Sequence, residues 1–135
     1  MIEPNYDDPL TSPFWQAAAR DELVMCWCDA CDRAEWYPKA QCSRCGGDTT
    51  WRTLSGEGIL LAWTVVTAPL NPAFATPYVP ALVEPVEAPG ARLVTQIVDY
   101  DSLALRCDMP VHVTFTNLRR PGGAPYRAPL FKPVT

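Results

Sequence analysis

The sequence predicts a mainly β protein with a short N-terminal helix, a small cysteine-bearing ribbon and a C-terminal five-stranded barrel. Three observations point to this class. Two C-x2-C pairs lie within residues 28–45. Short β-branched and aromatic runs separated by turn residues follow them. Of the 135 residues, 15 are proline, which disfavours long helices. The length suits one domain or two very small ones.

Residues 1–22 are predicted to form an N-terminal helical segment. Thr11 and Ser12 are N-cap candidates, and Pro13 suits the first helical turn. Phe14 and Trp15 begin an apolar stripe, which needs a surface to pack against. The segment is therefore expected to hold one short helix that docks elsewhere.

Residues 23–54 are predicted to form three short strands linked by two cysteine turns. Cys28 and Cys31 make one C-x2-C pair, and Cys42 and Cys45 make the other, with ten residues between the pairs. Two such knuckles direct four sulfurs at one ion. Four sulfur ligands leave no open coordination position for water or substrate, so we expect a structural metal. Zinc is the first candidate and iron the second. Four free thiols or two disulfides are the alternatives without a metal.

The expected compartment favours metal over disulfides. The opening residues lack the basic and apolar regions of a secretory signal, and no apolar run approaches the ~20 residues of a membrane span. We therefore expect a cytoplasmic chain, and disulfides rarely persist in the cytosol. Cys26 lies two residues before Cys28 and could replace a ligand, whereas Cys107 is expected to pack as a small apolar residue.

Residues 55–135 are predicted to form the barrel, followed by a proline-rich C-terminal tail. The paired glycines Gly56 and Gly58 mark the boundary with the ribbon. Five strands around a bent first strand favour an OB-like barrel. We expect residues 118–135 to be an extended tail. The expected strands are 59–67, 81–87, 92–100, a short stretch at 103–106, and 111–117.

Two further features concern partners. A proline-rich loop at residues 68–80 carries Phe74 and Tyr78 and is too rigid and too apolar to be a plain spacer. Together with Phe14 and Trp15, these side chains form apolar features that we expect at a partner interface.

No catalytic constellation is visible in the sequence. His112 is the only histidine and alternates with apolar residues, so we expect it to face solvent. There is no nucleophile elbow, phosphate-binding loop or pair of catalytic carboxylates. We therefore expect a chain that is not catalytic alone. The net charge of −4 argues against nucleic acid. A single-stranded nucleic-acid binder and a rubredoxin-like iron electron carrier are the alternative functions.

The order of these features resembles a family of acyl-CoA-associated proteins with an N-terminal helix, a rubredoxin-like zinc ribbon and a C-terminal OB-fold. The resemblance spans nearly the whole chain. Asp32 departs from it, because the family often has glycine after the first knuckle. Besides the four cysteines, the shared motifs are Pro13-Phe14-Trp15, Trp51 before Gly56-x-Gly58, Pro77-Tyr78 before Ala81-Leu82-Val83, Pro89-Gly90-x-Arg92-Leu93, Met109-Pro110-Val111-x-Val113 and Pro129-x-Phe131-x-Pro133.

The resemblance implies an accessory subunit that binds a thiolase-like acyl-CoA enzyme, either a thiolase or an aldolase, including enzymes that degrade steroid side chains or aromatic acids. The partner then carries the catalytic residues, and the OB part lies beside its CoA channel, so that the CoA ester is shared. Residues 91–135 hold six Lys/Arg against three Asp/Glu. We expect Arg119, Arg120 and Arg127 to pair with a CoA phosphate, because arginine forks match phosphate oxygens.

Overall fold

The computed structural model describes residues 4–119 and 121–134, which form one α-helix and eight β-strands. A three-stranded sheet carries the cysteine turns, and a closed five-stranded barrel follows it. The mainly β class and the five-stranded barrel predicted from the sequence are therefore confirmed. None of the helices in the described ranges is long and apolar enough to cross a membrane.

The helix α1 spans Ser12–Ala18, with the predicted proline in its first turn. Its buried residues are Phe14, Ala17 and Ala18, and it packs against the first strand of the ribbon and the last strand of the barrel. A seven-residue helix is too short to be stable alone in water, so its formation depends on this packing.

The ribbon consists of β1 (Val24–Cys28), β2 (Arg33–Ala34) and β3 (Thr50–Thr53) in the antiparallel order β2-β1-β3. All five residues of the central strand β1 are buried. Its sequence, Val-Met-Cys-Trp-Cys, is apolar without alternation, which suits a strand covered on both faces. Cys28 ends this strand, so the first cysteine knuckle begins on a rigid element.

The barrel consists of five strands in the closed order β4-β5-β6-β8-β7, with β7 pairing back to β4. All neighbours are antiparallel except β6 and β8, which are parallel. Side chains alternate between the interior and the surface, as β5 illustrates. The strands are β4 (Glu57–Trp63), β5 (Val79–Pro85), β6 (Leu93–Ile97), β7 (Pro110–Leu118) and β8 (Tyr126–Pro133).

The predicted extended tail is wrong, because residues 126–133 form β8, the fifth barrel strand. The stretch at 103–106, counted as a strand, is not one: residues 103–104 form a turn and residues 105–106 are irregular. The prolines of the C-terminal segment had argued against a strand. However, the carbonyl of Pro129 faces β6 and accepts a 3.0 Å hydrogen bond from the Thr95 hydroxyl. On the edge that faces β6, β8 pairs only at Phe131. The missing N–H of Pro129 therefore removes few backbone hydrogen bonds between these strands.

Gly56 fixes the approach of the ribbon to the barrel. Its φ of +91° lies in the region that favours glycine. A Cβ there would lie 2.4 Å from Cγ1 of Val113, and the Gly56 carbonyl accepts a 2.8 Å bond from the Val113 N–H. Glycine is thus required at the predicted turn for two reasons: the positive φ of Gly56 and the close contact between two chain segments.

Substitution of Gly56 by alanine should destabilise the protein through both effects. Gly90 is the control because its φ is +86° but a Cβ there meets nothing within 4 Å. We expect Gly90→Ala to cost about 1–2 kcal/mol from backbone strain and Gly56→Ala roughly 1–3 kcal/mol more from overpacking against Val113. Urea unfolding of both variants measures this difference, and equal midpoints would contradict the packing role of Gly56.

Candidate metal centre and aromatic groove

The four predicted metal ligands meet at one end of the ribbon. The Sγ atoms of Cys28, Cys31, Cys42 and Cys45 all lie within 4.8 Å of one another. The Sγ–Sγ distance is 3.6 Å between Cys28 and Cys45 and 4.0 Å between Cys42 and Cys31. A disulfide requires about 2.05 Å, and all four cysteines are free. Four sulfurs placed ~2.3 Å from one ion would be about 3.8 Å apart, so the cluster fits a tetrahedral metal ion.

Backbone N–H groups support the sulfurs of both knuckles. The N–H of Cys31 donates to Sγ of Cys28 at 3.4 Å, and that of Arg44 donates to Sγ of Cys42 at 3.4 Å. The N–H of Gly47 donates to Sγ of Cys45 at 3.3 Å. Hydrogen bonds to sulfur stabilise the thiolate form that metal binding requires.

The protonation of the cluster indicates what a bound cation would contribute. The backbone N–H groups of Cys45 and Arg44 lower the pKa of Cys42 to about 7. Hydrogen bonding with the Cys45 thiol, together with burial, raises the pKa of Cys31 to about 12. The N–H of Cys31 lowers the pKa of Cys28. Burial and the neighbouring thiols outweigh this effect, so the pKa of Cys28 is raised overall. One thiolate therefore forms readily, whereas four require a compensating positive charge.

The other two cysteines lie outside this cluster. The buried Cys26 thiol lies 3.5 Å from the carbonyl of Lys39, so it bonds to the backbone and not to the sulfur quartet. Cys107 is exposed, and the prediction that it packs as a small apolar residue is wrong. Cys107 lies in an exposed turn before β7. The sequence pattern alone does not show whether this position belongs to a turn or to the end of a strand. His112 is exposed, as expected.

Arg52 holds the turn after the first knuckle. Its guanidinium lies 4.2 Å from the ring centroid of Trp27 and 3.3 Å from Oδ1 of Asp32. The same carboxylate oxygen accepts a hydrogen bond from Nε1 of Trp27 at 3.3 Å. Asp32 has a φ of +50°, which explains why glycine suits this position and how an aspartate is accommodated there. The departure from the family pattern is thus compatible with the knuckle.

Glu35 performs a similar function for the second knuckle. Glu35 is 5% exposed, and its carboxylate accepts hydrogen bonds from the Ser43 N–H at 3.3 Å and the Ser43 hydroxyl at 3.1 Å. Burial alone would raise the pKa of Glu35, but the bonds from Ser43 and the charges of Lys39 and Arg33 outweigh it and lower the pKa. Sequence reasoning missed Glu35, although an acid directly between Ala34 and Trp36 in an apolar stretch was a usable signal.

All four predicted interface residues line one apolar groove of about 410 Å³. Helix α1 contributes Phe14 and Trp15, and the loop between β4 and β5 contributes Phe74 and Tyr78. The sequence did not predict that the ribbon and strands β6 and β8 complete the walls. The lining residues added by the structure include Trp36, Tyr37, Pro38, Val94, Gln96, Tyr126, Ala128 and Leu130.

The structure describes two of the three arginines expected to bind phosphate. Arg119 is exposed at the end of β7. Arg127 pairs with Asp21, through Nη2 to Oδ2 at 3.0 Å and through Nε to Oδ1, and also donates to Asn117 at 3.3 Å. Arg120 lies outside the described residues. Arg127 is therefore partly engaged within the chain, whereas the exposed Arg119 is accessible to a ligand.

Comparisons with known proteins agree with this architecture. Residues 51–116 match the family described as ChsH2, C-terminal OB-fold domain. This part of the chain is similar to a ChsH2-type OB-fold domain. A solved structure named Ltp2-ChsH2(DUF35) aldolase superposes with a TM-score of 0.84 at 29% identity and covers 98% of this chain and 100% of its own. The resemblance inferred from the sequence is therefore confirmed.

Two other relatives are more distant or longer. A Thermomonospora curvata protein named probable enoyl-CoA hydratase alpha subunit is 39% identical over 101 residues, which are 73% of this chain. This chain spans only 31% of that relative's length. A DUF35-family protein from Sulfolobus solfataricus shares the fold with a TM-score of 0.60 at 14% identity, over 81% of this chain and 80% of its own.

Glu35 can be tested apart from the cysteines. Glu35→Gln keeps the size of the side chain but removes the charge that binds Ser43, so unfolding of the metal-loaded protein at pH 7 should require about 1–3 kcal/mol less. Glu22→Gln is the control, because Glu22 pairs with Arg20 only on the exposed surface, and a change below about 0.5 kcal/mol is expected there. Equal losses in the two variants, measured by guanidinium unfolding, would contradict the proposed support of the knuckle.

Proposed function

We propose that the chain is a non-catalytic accessory subunit that binds a thiolase-like acyl-CoA enzyme and borders its CoA channel. The match over the full chain to a component of the Ltp2-ChsH2(DUF35) aldolase carries this proposal. The hydratase relative supports the same chemical context, because its name also refers to a CoA thioester. The reaction, cleavage or formation of a carbon–carbon bond on an acyl-CoA, takes place in the partner. Steroid side chains and aromatic acids are the proposed substrate classes.

The metal is proposed to be zinc in a structural role. Four thiolates complete a tetrahedral shell and leave no position for water or substrate, so an ion there has no direct catalytic function. The same ligand set could hold iron, which would make the chain an electron carrier. The role of the ion as proposed here is to neutralise the thiolates and keep the ribbon folded.

Elemental analysis of the purified chain decides between the two metals. We expect one zinc per chain and a colourless protein. Zinc affinity should fall as the pH is lowered from 8 to 6, because protons compete for the thiolates and the pKa of Cys42 is about 7. A red protein with one reducible iron would contradict the structural role and favour the electron carrier.

The CoA-facing side is proposed to include Arg119, Arg120 and Arg127. A CoA diphosphate and its 3′-phosphate are anionic, and guanidinium groups bind such oxygens in a bidentate manner. Arg119 is exposed at the end of the β7–β8 hairpin, and Arg127 lies on β8 of the same hairpin. The ion pair with Asp21 partly engages Arg127, which leaves Arg119 as the more available donor.

Reconstitution tests the accessory role. We expect the chain to form a stable heteromeric complex with the aldolase subunit Ltp2 on size-exclusion chromatography, and retro-aldol cleavage to require Ltp2. The isolated chain should turn over no acyl-CoA. Alanine at all three arginines should raise the KM of the complex for its acyl-CoA several-fold without a comparable change in kcat, as expected for lost ground-state binding.

Asp21→Ala is the matched control for the arginine variant. It breaks the ion pair with Arg127 without removing a cation, so it should leave KM near the value of the unmodified complex. If the isolated chain itself cleaved acyl-CoA, the non-catalytic assignment would be refuted. If Asp21→Ala raised KM as much as the triple variant, the loss of an internal ion pair and not phosphate binding would explain the effect.

A further inference from the structure

A polar cleft lies where the ribbon meets the turn between β5 and β6. Its volume is about 260 Å³, and most of its lining is polar. The cleft is smaller than the roughly 300–1,000 Å³ of pockets that hold drug-sized ligands, so it suits a small molecule and not a whole acyl-CoA. The barrel side contributes residues 89–91, and the ribbon side includes Arg33, Glu35, Lys39 and Ser43.

Arg33 and Lys39 bring two cations to the cleft. The half-buried Arg33 guanidinium forms no hydrogen bond or ion pair with any residue that the structure describes. Its N–H donors are therefore available to a ligand. The Lys39 side chain is 60% exposed at the rim, and its Nζ lies 3.9 Å from Oε1 of Glu35.

Glu35 brings one anion, and only one of its two oxygens is fully engaged. Oε2 accepts both hydrogen bonds from Ser43. Oε1 has the long ion pair with Lys39 but accepts no hydrogen bond within the described part of the chain. A charged oxygen on a residue as buried as Glu35 gains free energy from a hydrogen-bond donor. A ligand in the cleft can supply that donor.

Strand geometry places Arg33 and Glu35 side by side. Arg33 belongs to β2, and the Glu35 N–H continues the pairing with β1 through a 2.9 Å bond to the Cys26 carbonyl. Residues two apart along a strand point to the same face, yet these two opposite charges form no ion pair with each other. The gap between them can take a molecule that bonds to both.

The barrel side of the cleft supplies surface and no free backbone donor. The Gly90 N–H donates to Oε2 of Glu84 at 3.1 Å, and the Ala91 N–H donates to the carbonyl of Ala88 at 3.0 Å. Glu84 itself does not line the cleft. The exposed Tyr37 does, and its hydroxyl can donate or accept a hydrogen bond. Recognition of charge therefore depends on the ribbon.

We propose that this cleft binds a small carboxylate that carries a hydroxyl or an ammonium group on the adjacent carbon. The ligand carboxylate pairs with Arg33 and Lys39, and the hydroxyl or ammonium group donates to Oε1 of Glu35. Two cations against one carboxylate give the cleft a net charge of +1, which suits a monoanion or a zwitterion better than a cation. The site bridges ribbon and barrel and does not require the acyl-CoA enzyme.

Three acids of nearly equal size test this assignment. L-Lactate, L-alanine and propionate differ only in the hydroxyl, ammonium or hydrogen on the carbon next to the carboxylate. Each is titrated at constant ionic strength into the full-length, metal-loaded chain while backbone amide resonances are recorded by NMR. We expect saturable shifts within residues 33–43 and 89–91 for lactate, alanine or both. Propionate should bind about tenfold more weakly or worse, because it leaves Oε1 of Glu35 without a donor.

Arg33→Gln is the variant that tests the cation. It should weaken the binding of lactate and alanine by about tenfold or more, because a charge-assisted bond to the carboxylate is lost. Arg106→Gln is the matched control: it removes the same charge from an exposed position between β6 and β7 that does not line the cleft, and Kd should stay within about twofold. If circular dichroism shows Arg33→Gln unfolded, Lys39→Gln takes its place with the same expectation.

Three results would overturn the proposal. Neither lactate nor alanine produces a saturable shift; propionate binds as tightly as both, which would leave no contact with Glu35; or binding survives unchanged in a folded cation variant. Each of these results leaves the accessory role standing, because reconstitution with the enzyme tests that role separately.

Discussion

The close approach of four cysteine sulfurs is the main constraint on the ribbon and on the groove wall that the ribbon carries. Four thiol sulfurs lie within 4.8 Å of one another, and their mutual interactions leave Cys31 with a pKa of about 12 while that of Cys42 is about 7. Only a cation allows all four to be thiolates at neutral pH. The ribbon around them has a two-residue strand and one fully buried strand. With so little core of its own, the ribbon depends on packing against α1 and, as proposed above, on a metal bound by the four cysteines.

The cluster also determines the position of one wall of the groove. The segment 36–38 lies between Glu35, whose carboxylate binds Ser43 of the second knuckle, and Lys39, whose carbonyl accepts bonds from Cys26 and Thr49. Both ends of this wall are thus tied to the cysteine turns or to β1. An ion bound by the four cysteines would therefore support the aromatic wall of the groove without contacting whatever binds in the groove.

Much of this architecture could be predicted from the sequence, because its strongest signals are local. The C-x2-C spacing predicts the quartet, and Pro13 predicts the start of α1. The strand β8 was missed because Pro129 weakens a strand pattern when its neighbour is unknown, and its parallel pairing with β6 is non-local. The Arg127–Asp21 ion pair joins residues 106 positions apart, and the binding of Ser43 by Glu35 depends on a loop. No periodicity encodes such contacts. The sequence singled out Phe14, Trp15, Phe74 and Tyr78 individually, but it did not predict the groove that they share.

Hydrogen exchange of the full chain, recorded with the metal bound and after its removal by a chelator, measures whether the ion organises the ribbon and the groove wall. We expect the amides of residues 33–48, including the segment 36–38, to exchange much faster without the ion, while β5 and β6 of the barrel keep their protection. An ion-free chain whose ribbon and groove wall exchange as slowly as in the metal-bound form would show that the sulfur cluster does not organise this surface.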